Sequence, residues 1–219
     1  MTKPESGLRH ILWDWNGTLL EDVALCVSAL NEVSEKRGIA PVSPQRYREI
    51  FTFPVIEYYK AVGFNFDREP FSKPADEWVE IYCRRVWNES KLYDGASAVL
   101  EFIRQRGLTQ SILSAHHHDM LVRLARHFGV LEYLDSIVGQ GDFYAEGKLE
   151  LGRAWLKRSG LQPDAILLIG DTLHDHEVAS VLGVGCVLVG QGHQSKDRLL
   201  GAGVPVLDSI ADVPRFLQR

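Results

Sequence analysis

The stretch HILWDWNGTLLED, residues 10–22, decides how the rest of the chain is read. Its first half, HILWDW, has the length and apolar character of a buried strand, and Gly17 marks the turn that ends it. The strand delivers a carboxylate, Asp14, to that turn. Two residues on, where an extended chain brings the next side chain back to the same side, stands an amide, Asn16.

Outward from this stretch, short apolar runs alternate with helical patterns. TQSILSA (109–115), DSIVGQ (135–140), DAILLIGD (164–171) and GCVLVG (185–190) read as further strands, and VPVLDS (204–209) as an edge strand. Between them ASAVLEFIRQRG (96–107), DMLVRLARHFG (119–129), KLELGRAWLKRSG (148–160) and HEVASVLG (176–183) read as helices, each closed by glycine. This alternation predicts an α/β fold with a doubly wound, Rossmann-like parallel sheet. Residues 22–92 break the rhythm. VALCVSALNEVSEKRG, FPVIEYYKAVGF and PADEWVEIYCRRVWNES are three helical patterns without a convincing strand, so an inserted helical cap is expected at 22–92. The core would then comprise 1–21 and 93–219, re-entered at the turn in LYDG.

Bulk properties narrow the function. The 219 residues suffice for one core and an inserted subdomain, and 45% hydrophobic with 24% charged residues is ordinary for a globular protein. A net charge of −5 offers no nucleic-acid footprint, and no run approaches the ~20 apolar residues of a membrane span. The polar N-terminus lacks a signal-peptide core. Cys26, Cys83 and Cys186 are odd in number and widely spaced, so they read as buried thiols of a cytoplasmic protein.

Open parallel sheets bind ligands beyond the carboxyl ends of their strands. There the sequence places Asp14, Ser114, the Lys148 region and Asp171. Singly, Ser114 and Asp171 would read as helix caps and Lys148 as a solvated charge. In this order the four residues resemble the motifs of the haloacid dehalogenase-like superfamily. DWNGT resembles the first motif, normally Asp-x-Asp-Gly-Thr/Val; the Ser of SILSA resembles the second, Lys148 in AEGKLE the third, and LLIGDTLHD the fourth. The insertion is similar to the family's C1-type helical cap, and FTFPVIEYYKAVGF (51–64) within it and YDGASAVLEFIRQRG (93–107) after it resemble the phosphoglycolate phosphatase-like branch.

The resemblance implies a magnesium-dependent phosphatase acting on a small phosphorylated metabolite. Asp14 would be the nucleophile that forms an aspartyl-phosphate. Mg2+, which favours hard oxygen ligands, would be held by Asp14, the main-chain carbonyl of Asn16, Asp171 and Asp175, the last either supporting the metal's water shell or holding Lys148. Gly17, Thr18, Ser114, Ala115 and Lys148 would hold the phosphate. No nucleic acid or membrane partner is expected, and monomer and homodimer are both open.

Asn16 replaces the family's second aspartate, which protonates the leaving group and then activates water. An amide can donate a hydrogen bond but cannot shuttle a proton, and losing that help costs ~10²–10⁴ in rate. Three readings compete: a slow or selective phosphatase whose substrate leaves readily, such as an acyl phosphate; a phosphonoacetaldehyde hydrolase-like enzyme using Lys60 as a Schiff-base lysine; or a non-catalytic phosphate-binding protein. Asn16-Gly17 is also a dipeptide prone to deamidation, unless the turn prevents cyclisation. Among further candidates, one of His116, His117 and His118 could touch substrate or supply the missing proton. His174 and His176 flank Asp175 and read as exposed. Trp13 reads as core and Trp15 as packing under the cap. Arg84 and Arg85 could meet a substrate carboxylate.

Overall fold

A computed structural model describes residues 7–141 and 148–218. The first strand, β1 (His10–Trp13), is buried along its whole length, as an apolar run flanked by helices on both faces should be. The other strands are β2 (Leu20–Glu21), β3 (Lys91–Leu92), β4 (Thr109–His117), β5 (Ser136–Gln140), β6 (Ile166–Gly170), β7 (Gly185–Val189) and β8 (Val206–Leu207). Six of them form one parallel sheet in the order β5-β4-β1-β6-β7-β8. The chain winds from β1 first to one side and then to the other, so β1 lies between β4 and β6 at the switch point. The fold is α/β and Rossmann-like.

The helices are α1 (Val23–Glu35), α2 (Pro44–Ile50), α3 (Val55–Val62), α4 (Ser72–Glu89), α5 (Ala96–Gln105), α6 (His118–His127), α7 (Lys148–Ser159), α8 (Leu173–Leu182), α9 (Lys196–Leu200) and α10 (Val213–Leu217). Alternate residues of the strands feed two cores. Ile11, Trp13, Ile112 and Ile169 pack with Val99, Ile103, Leu121 and Leu124 of α5 and α6. Leu12, Leu113 and Leu168 pack on the other face with Trp155 of α7 and Val178 and Leu182 of α8. Each buried aliphatic side chain of this kind contributes roughly 1.5–3 kcal/mol, and the period-two division fixes which strand residues face which layer.

The segment between β2 and β3 differs from the sequence expectation in two ways. It holds four helices, because Ser43-Pro44 starts a short one: the Ser43 hydroxyl accepts from the Arg46 N–H, 3.1 Å away. It also ends in a strand, since Lys91–Leu92 pairs antiparallel with Leu20–Glu21. A two-residue pair is too short to leave an alternating pattern. The helical segment therefore leaves and re-enters the core through adjacent strands. A second tie joins α2 to the loop after β7, where Arg48 Nε donates to the Gly192 carbonyl (2.9 Å). There Gln194 Nε2 and Arg198 Nη1 also donate to the Phe51 carbonyl (2.9 and 2.8 Å). Among the described residues no helix is long and apolar enough to cross a membrane.

Candidate active site

Because β4, β1 and β6 are neighbours, the residues that follow them meet at one edge of the sheet. Asp14 extends β1, its N–H donating to the Ile169 carbonyl at 2.9 Å. The turn then closes on itself, with Leu19 and Leu20 N–H groups donating to the Trp15 carbonyl (3.0 and 2.9 Å) and Gly17 N–H to the Leu20 carbonyl (2.9 Å). Gly17 has φ +73°, and a Cβ there would fall on the Asp171 carboxylate and the His193 ring. Only glycine fits that position.

Asp171 follows β6 and is fully buried. It accepts from the Thr18 hydroxyl (3.1 Å) and from the His193 N–H (2.6 Å). Asp175 sits one turn into α8 in a capping box, its Oδ2 accepting from the Thr172 N–H (3.0 Å) and hydroxyl (2.7 Å). Its other oxygen accepts from Lys148 Nζ at 2.6 Å, and the same ammonium donates to Asp14 Oδ1 at 2.5 Å. Lys148, 3% exposed, is therefore a bridge between two buried carboxylates and not a solvated helix-start charge. Ser114 is buried beside them, its hydroxyl accepting from the His116 N–H at 3.2 Å.

The electrostatics follow from burial. Burial raises the Asp14 carboxyl to about 6 against the opposing pull of Lys148. Burial also pushes Asp171 well above the carboxylate range. Asp175 is buried too, but the Lys148 ammonium outweighs that and holds it low. Four carboxylates cluster here, those of Asp14, Asp22, Asp171 and Asp175, against two cations, Lys148 and the His193 imidazolium. One divalent cation would close the difference. Carboxylate oxygens of Asp14, Asp171 and Asp175 lie within 4.8 Å of one another, an all-oxygen set that suits magnesium. Both oxygens of Asp175 accept from Lys148 and the capping box and both of Asp171 from Thr18 and the His193 N–H, whereas Asp14 keeps one oxygen free for a cation.

A pH signature follows. A raised folded pKa means that Asp14 and Asp171 bind protons in the native state that the unfolded chain has released. Their contribution to stability is present below about pH 4 and is lost as pH rises, through about 6 for Asp14. Magnesium, which needs both ionised, should reverse this. Thermal unfolding with and without Mg2+ should show a stabilisation that grows from pH 5 to pH 7, reaching about 2.7 kcal/mol at a hundredfold excess over Kd.

Asn16 is not idle. Its amide nitrogen donates to Asp22 Oδ2 (2.7 Å) and to the Tyr82 hydroxyl of α4 (2.8 Å), and Tyr82 itself donates to Asp22 Oδ2 (2.9 Å). On the other side of Asp22 lies His193, Nε2 to Oδ1 3.3 Å, whose Nδ1 shares a hydrogen bond with the Tyr47 hydroxyl (2.7 Å). Burial would discharge this imidazole, but Asp22 outweighs it and raises His193 to about 9. Burial acts on Asp22 in the same sense, yet His193 holds it below its ordinary value. Asp22, Tyr47, Tyr82 and His193 were not picked out from the sequence. The one available signal was position: His193 follows β7 at the same strand-end edge as the residues that were picked out.

Several expectations need correction. Gly17 and Thr18 lie behind the cavity, and Thr18 spends its hydroxyl on Asp171 instead of facing a phosphate. Trp15 is fully buried against Phe128 and does not line the cavity. Lys60 is exposed and paired with Glu57 at 2.7 Å, away from the cavity, which removes the Schiff-base reading. Arg84 is exposed and Arg85 pairs with Glu89 and Glu32, so neither meets a ligand in the cavity. His116 and His117 do line it, but burial lowers His116 to about 4, so near neutrality it is a neutral imidazole and not an imidazolium acid. His118 opens α6 instead. His174 also faces the cavity, stacked on Phe53 with centroids 4.7 Å apart. Of the cysteines, only Cys26 is buried; Cys83 and Cys186 are partly so. Cyclisation at Asn16-Gly17 is opposed, since the Gly17 N–H is engaged by Leu20 and the Asn16 amide is held at both hydrogens.

Residues 11–189 match the model of the haloacid dehalogenase-like hydrolase family. The chain belongs to that family. It is 27% identical over 198 residues to a 5'-nucleotidase of Pseudomonas aeruginosa, covering 89% of each chain. To a phosphoglycolate phosphatase of Chromobacterium violaceum it is 24% identical, covering 94% of this chain and 95% of that one. To the tyrosine-protein kinase PtkA of Mycobacterium tuberculosis it is 23% identical, over 97% of this chain and 72% of the relative. A haloacid dehalogenase-like hydrolase from Streptococcus pneumoniae, SP0104, superposes with a TM-score of 0.84 at 20% identity, over 97% of this chain and all of that one. Membership of this hydrolase family makes the chain an enzyme of that class. Its relatives differ in what they act on, so the substrate has to be argued from the cavity.

Proposed function

We propose that the protein hydrolyses phosphomonoesters with magnesium, through an aspartyl-phosphate formed on Asp14, and that the helical segment acts as the cap over this site. The observation that carries this reading is the bridge from Lys148 to Asp14 and Asp175, with Asp171 beside it at the strand ends. Relatives named as phosphatase and nucleotidase support the same reaction class.

In this reading Asp14 attacks phosphorus through its free oxygen, while Lys148 fixes the other oxygen and offsets charge on the phosphoryl group. Ser114 donates its hydroxyl to a phosphoryl oxygen. Asp14, Asp171 and the Asn16 carbonyl would hold magnesium, which when bound would supply positive charge beside the phosphoryl group. Asp175 keeps Lys148 aimed, and Thr18 with the His193 N–H keeps Asp171 aimed. Thr18 and Gly17 thus serve the phosphate indirectly.

Asn16 sets which half of the reaction is slow. Departure of a good leaving group needs no acid, whereas attack of water on the aspartyl-phosphate loses its base. The phosphoenzyme should therefore accumulate. Mixing the enzyme with acetyl phosphate and Mg2+ and quenching in acid should show a burst of about one equivalent of acyl loss per site. Peptide mass spectrometry should find the gain of one phosphoryl group on Asp14. Absence of both the adduct and Mg2+-dependent phosphate release would overturn the reading.

A further inference from the structure

We infer that the site takes aryl phosphates, monoesters in which the bridging oxygen is carried directly by an aromatic ring. This names the substrate class of the phosphatase site proposed above and rests on that reading. Two independent observations point to it, one from the walls of the cavity and one from residue 16.

The cavity above Asp14 has a volume of about 170 Å³. An apolar cavity of about 150 Å³ accepts benzene, so the space matches a single ring. Phe51, Phe53, Tyr58, Phe71, Trp78 and Tyr82 form its wall on the cap side. They already pack as rings do, Phe51 edge-on to Phe53 (5.5 Å) and to Tyr58 (5.3 Å), and Trp78 stacked on Tyr82 (4.9 Å). A further ring gains the same contacts, in addition to what its burial contributes.

Charge excludes the obvious competitor. Among the described residues lining the cavity there is no arginine, and the one lysine, Lys148, is committed to Asp14 and Asp175. The other basic side chains on the wall are histidines. Of these, His193 is committed to Asp22, His174 to Glu177 and the Phe53 face, His116 is buried beside Tyr82, and His117 is engaged as well. A carboxylate or second phosphate on the leaving group would be desolvated here without a dedicated lysine or arginine. Phosphoglycolate is such a substrate.

Residue 16 carries the second observation. Both hydrogens of the Asn16 amide are donated within the protein, to Asp22 and Tyr82, so no proton at this position reaches the leaving oxygen. The expelled group must therefore be stable as an anion. A phenol has a pKa of about 10, whereas an alcohol lies near the value of water, about 15.7. An aryl oxide can leave unassisted where an alkoxide cannot.

The chemistry balances. An Asp14 oxygen bonds to phosphorus as the P–O(aryl) bond breaks, and the electron pair departs on the aryl oxygen. Water then attacks the aspartyl-phosphate and the bond to Asp14 breaks, returning the carboxylate. One proton of that water stays on inorganic phosphate, and the other reaches the aryl oxide through solvent.

The test uses the wild-type enzyme with Mg2+ and four substrates: phenyl phosphate, benzyl phosphate, acetyl phosphate and phosphoglycolate. Benzyl phosphate has the ring but an alkoxide leaving group; acetyl phosphate leaves readily but has no ring. Single-turnover loss of the leaving group should be at least about 10²-fold faster for phenyl than for benzyl phosphate. The KM for phenyl phosphate should lie at least tenfold below that for acetyl phosphate, roughly one to two ring contacts. Phosphoglycolate should be the poorest of the four. Benzyl phosphate or phosphoglycolate turning over as fast as phenyl phosphate, or acetyl phosphate binding as tightly, would overturn the aryl assignment while leaving the phosphatase standing. Loss of Mg2+-dependent turnover with all four would instead remove the phosphatase reading itself.

Discussion

Replacement of Asp14 by asparagine should lower turnover by on the order of 10⁶, the scale seen when a covalent nucleophile is removed, and should do so without unfolding the protein. The size follows from the role: no other carboxylate can take over the attack. Asp175 is engaged at both oxygens, and Asp171 is held by Thr18 and the His193 N–H. Stability should not fall, because burial already disfavours ionised Asp14 and Lys148 keeps its second partner at 2.6 Å. Steady-state phosphate release and the phosphoenzyme adduct measure the first half of this expectation. Denaturant unfolding at pH 7 in chelator measures the second. A variant that still forms the adduct would place the nucleophile elsewhere.

The second large effect concerns residue 16, and here the structure reverses a simple expectation. Read from sequence, Asn16→Asp restores the family's first motif and should raise activity. In the fold, a carboxylate at 16 would face Asp22 at the 2.7 Å now spanned by a hydrogen bond. Two buried carboxylates at that distance cannot both ionise. Asn16→Asp alone should cost about 3–5 kcal/mol of stability, the scale for an uncompensated buried charge. That cost should grow as pH rises above the ordinary carboxylate range, since the native pair holds a proton that the unfolded chain gives up. The exchanged pair, Asn16→Asp with Asp22→Asn, keeps one acid and one amide in the same contact. It should regain part of that stability, since His193 gives up its Asp22 partner, and raise steady-state phosphate release by ~10²–10⁴, the value of general acid–base help, while the burst disappears. Equal activity in the single and double variants would show that Asp22 does not dictate the amide.

Asp14, Ser114 and Asp171 stand out in the sequence because apolar runs announce buried strands, and ligands of an open parallel sheet gather just past strand ends. Lys148 and Asp175 join them through the resemblance to the haloacid dehalogenase-like motifs. The Lys148 bridge was legible only as a possibility, since a lone lysine at a helix start carries no sign of being 3% exposed. Asp22 was not legible at all. It stands before α1 where an aspartate usually caps a helix, yet its side chain makes no cap bond and turns instead to Asn16, Tyr82 and His193. Those partners are as many as 171 residues away, and no local period encodes a pairing of that span. Trp15 misled for the opposite reason: its place beside the nucleophile suggested the cavity, but the tight turn rotates it into the core against Phe128.

The helical segment is fastened to the core at two places, by the paired strands Leu20–Glu21 and Lys91–Leu92 and by the bonds of Arg48 and Phe51 to the loop that carries Gly192, Gln194 and Arg198. The same loop carries His193, whose N–H holds Asp171, so the fastening of the segment and the orientation of a buried carboxylate share one stretch of chain.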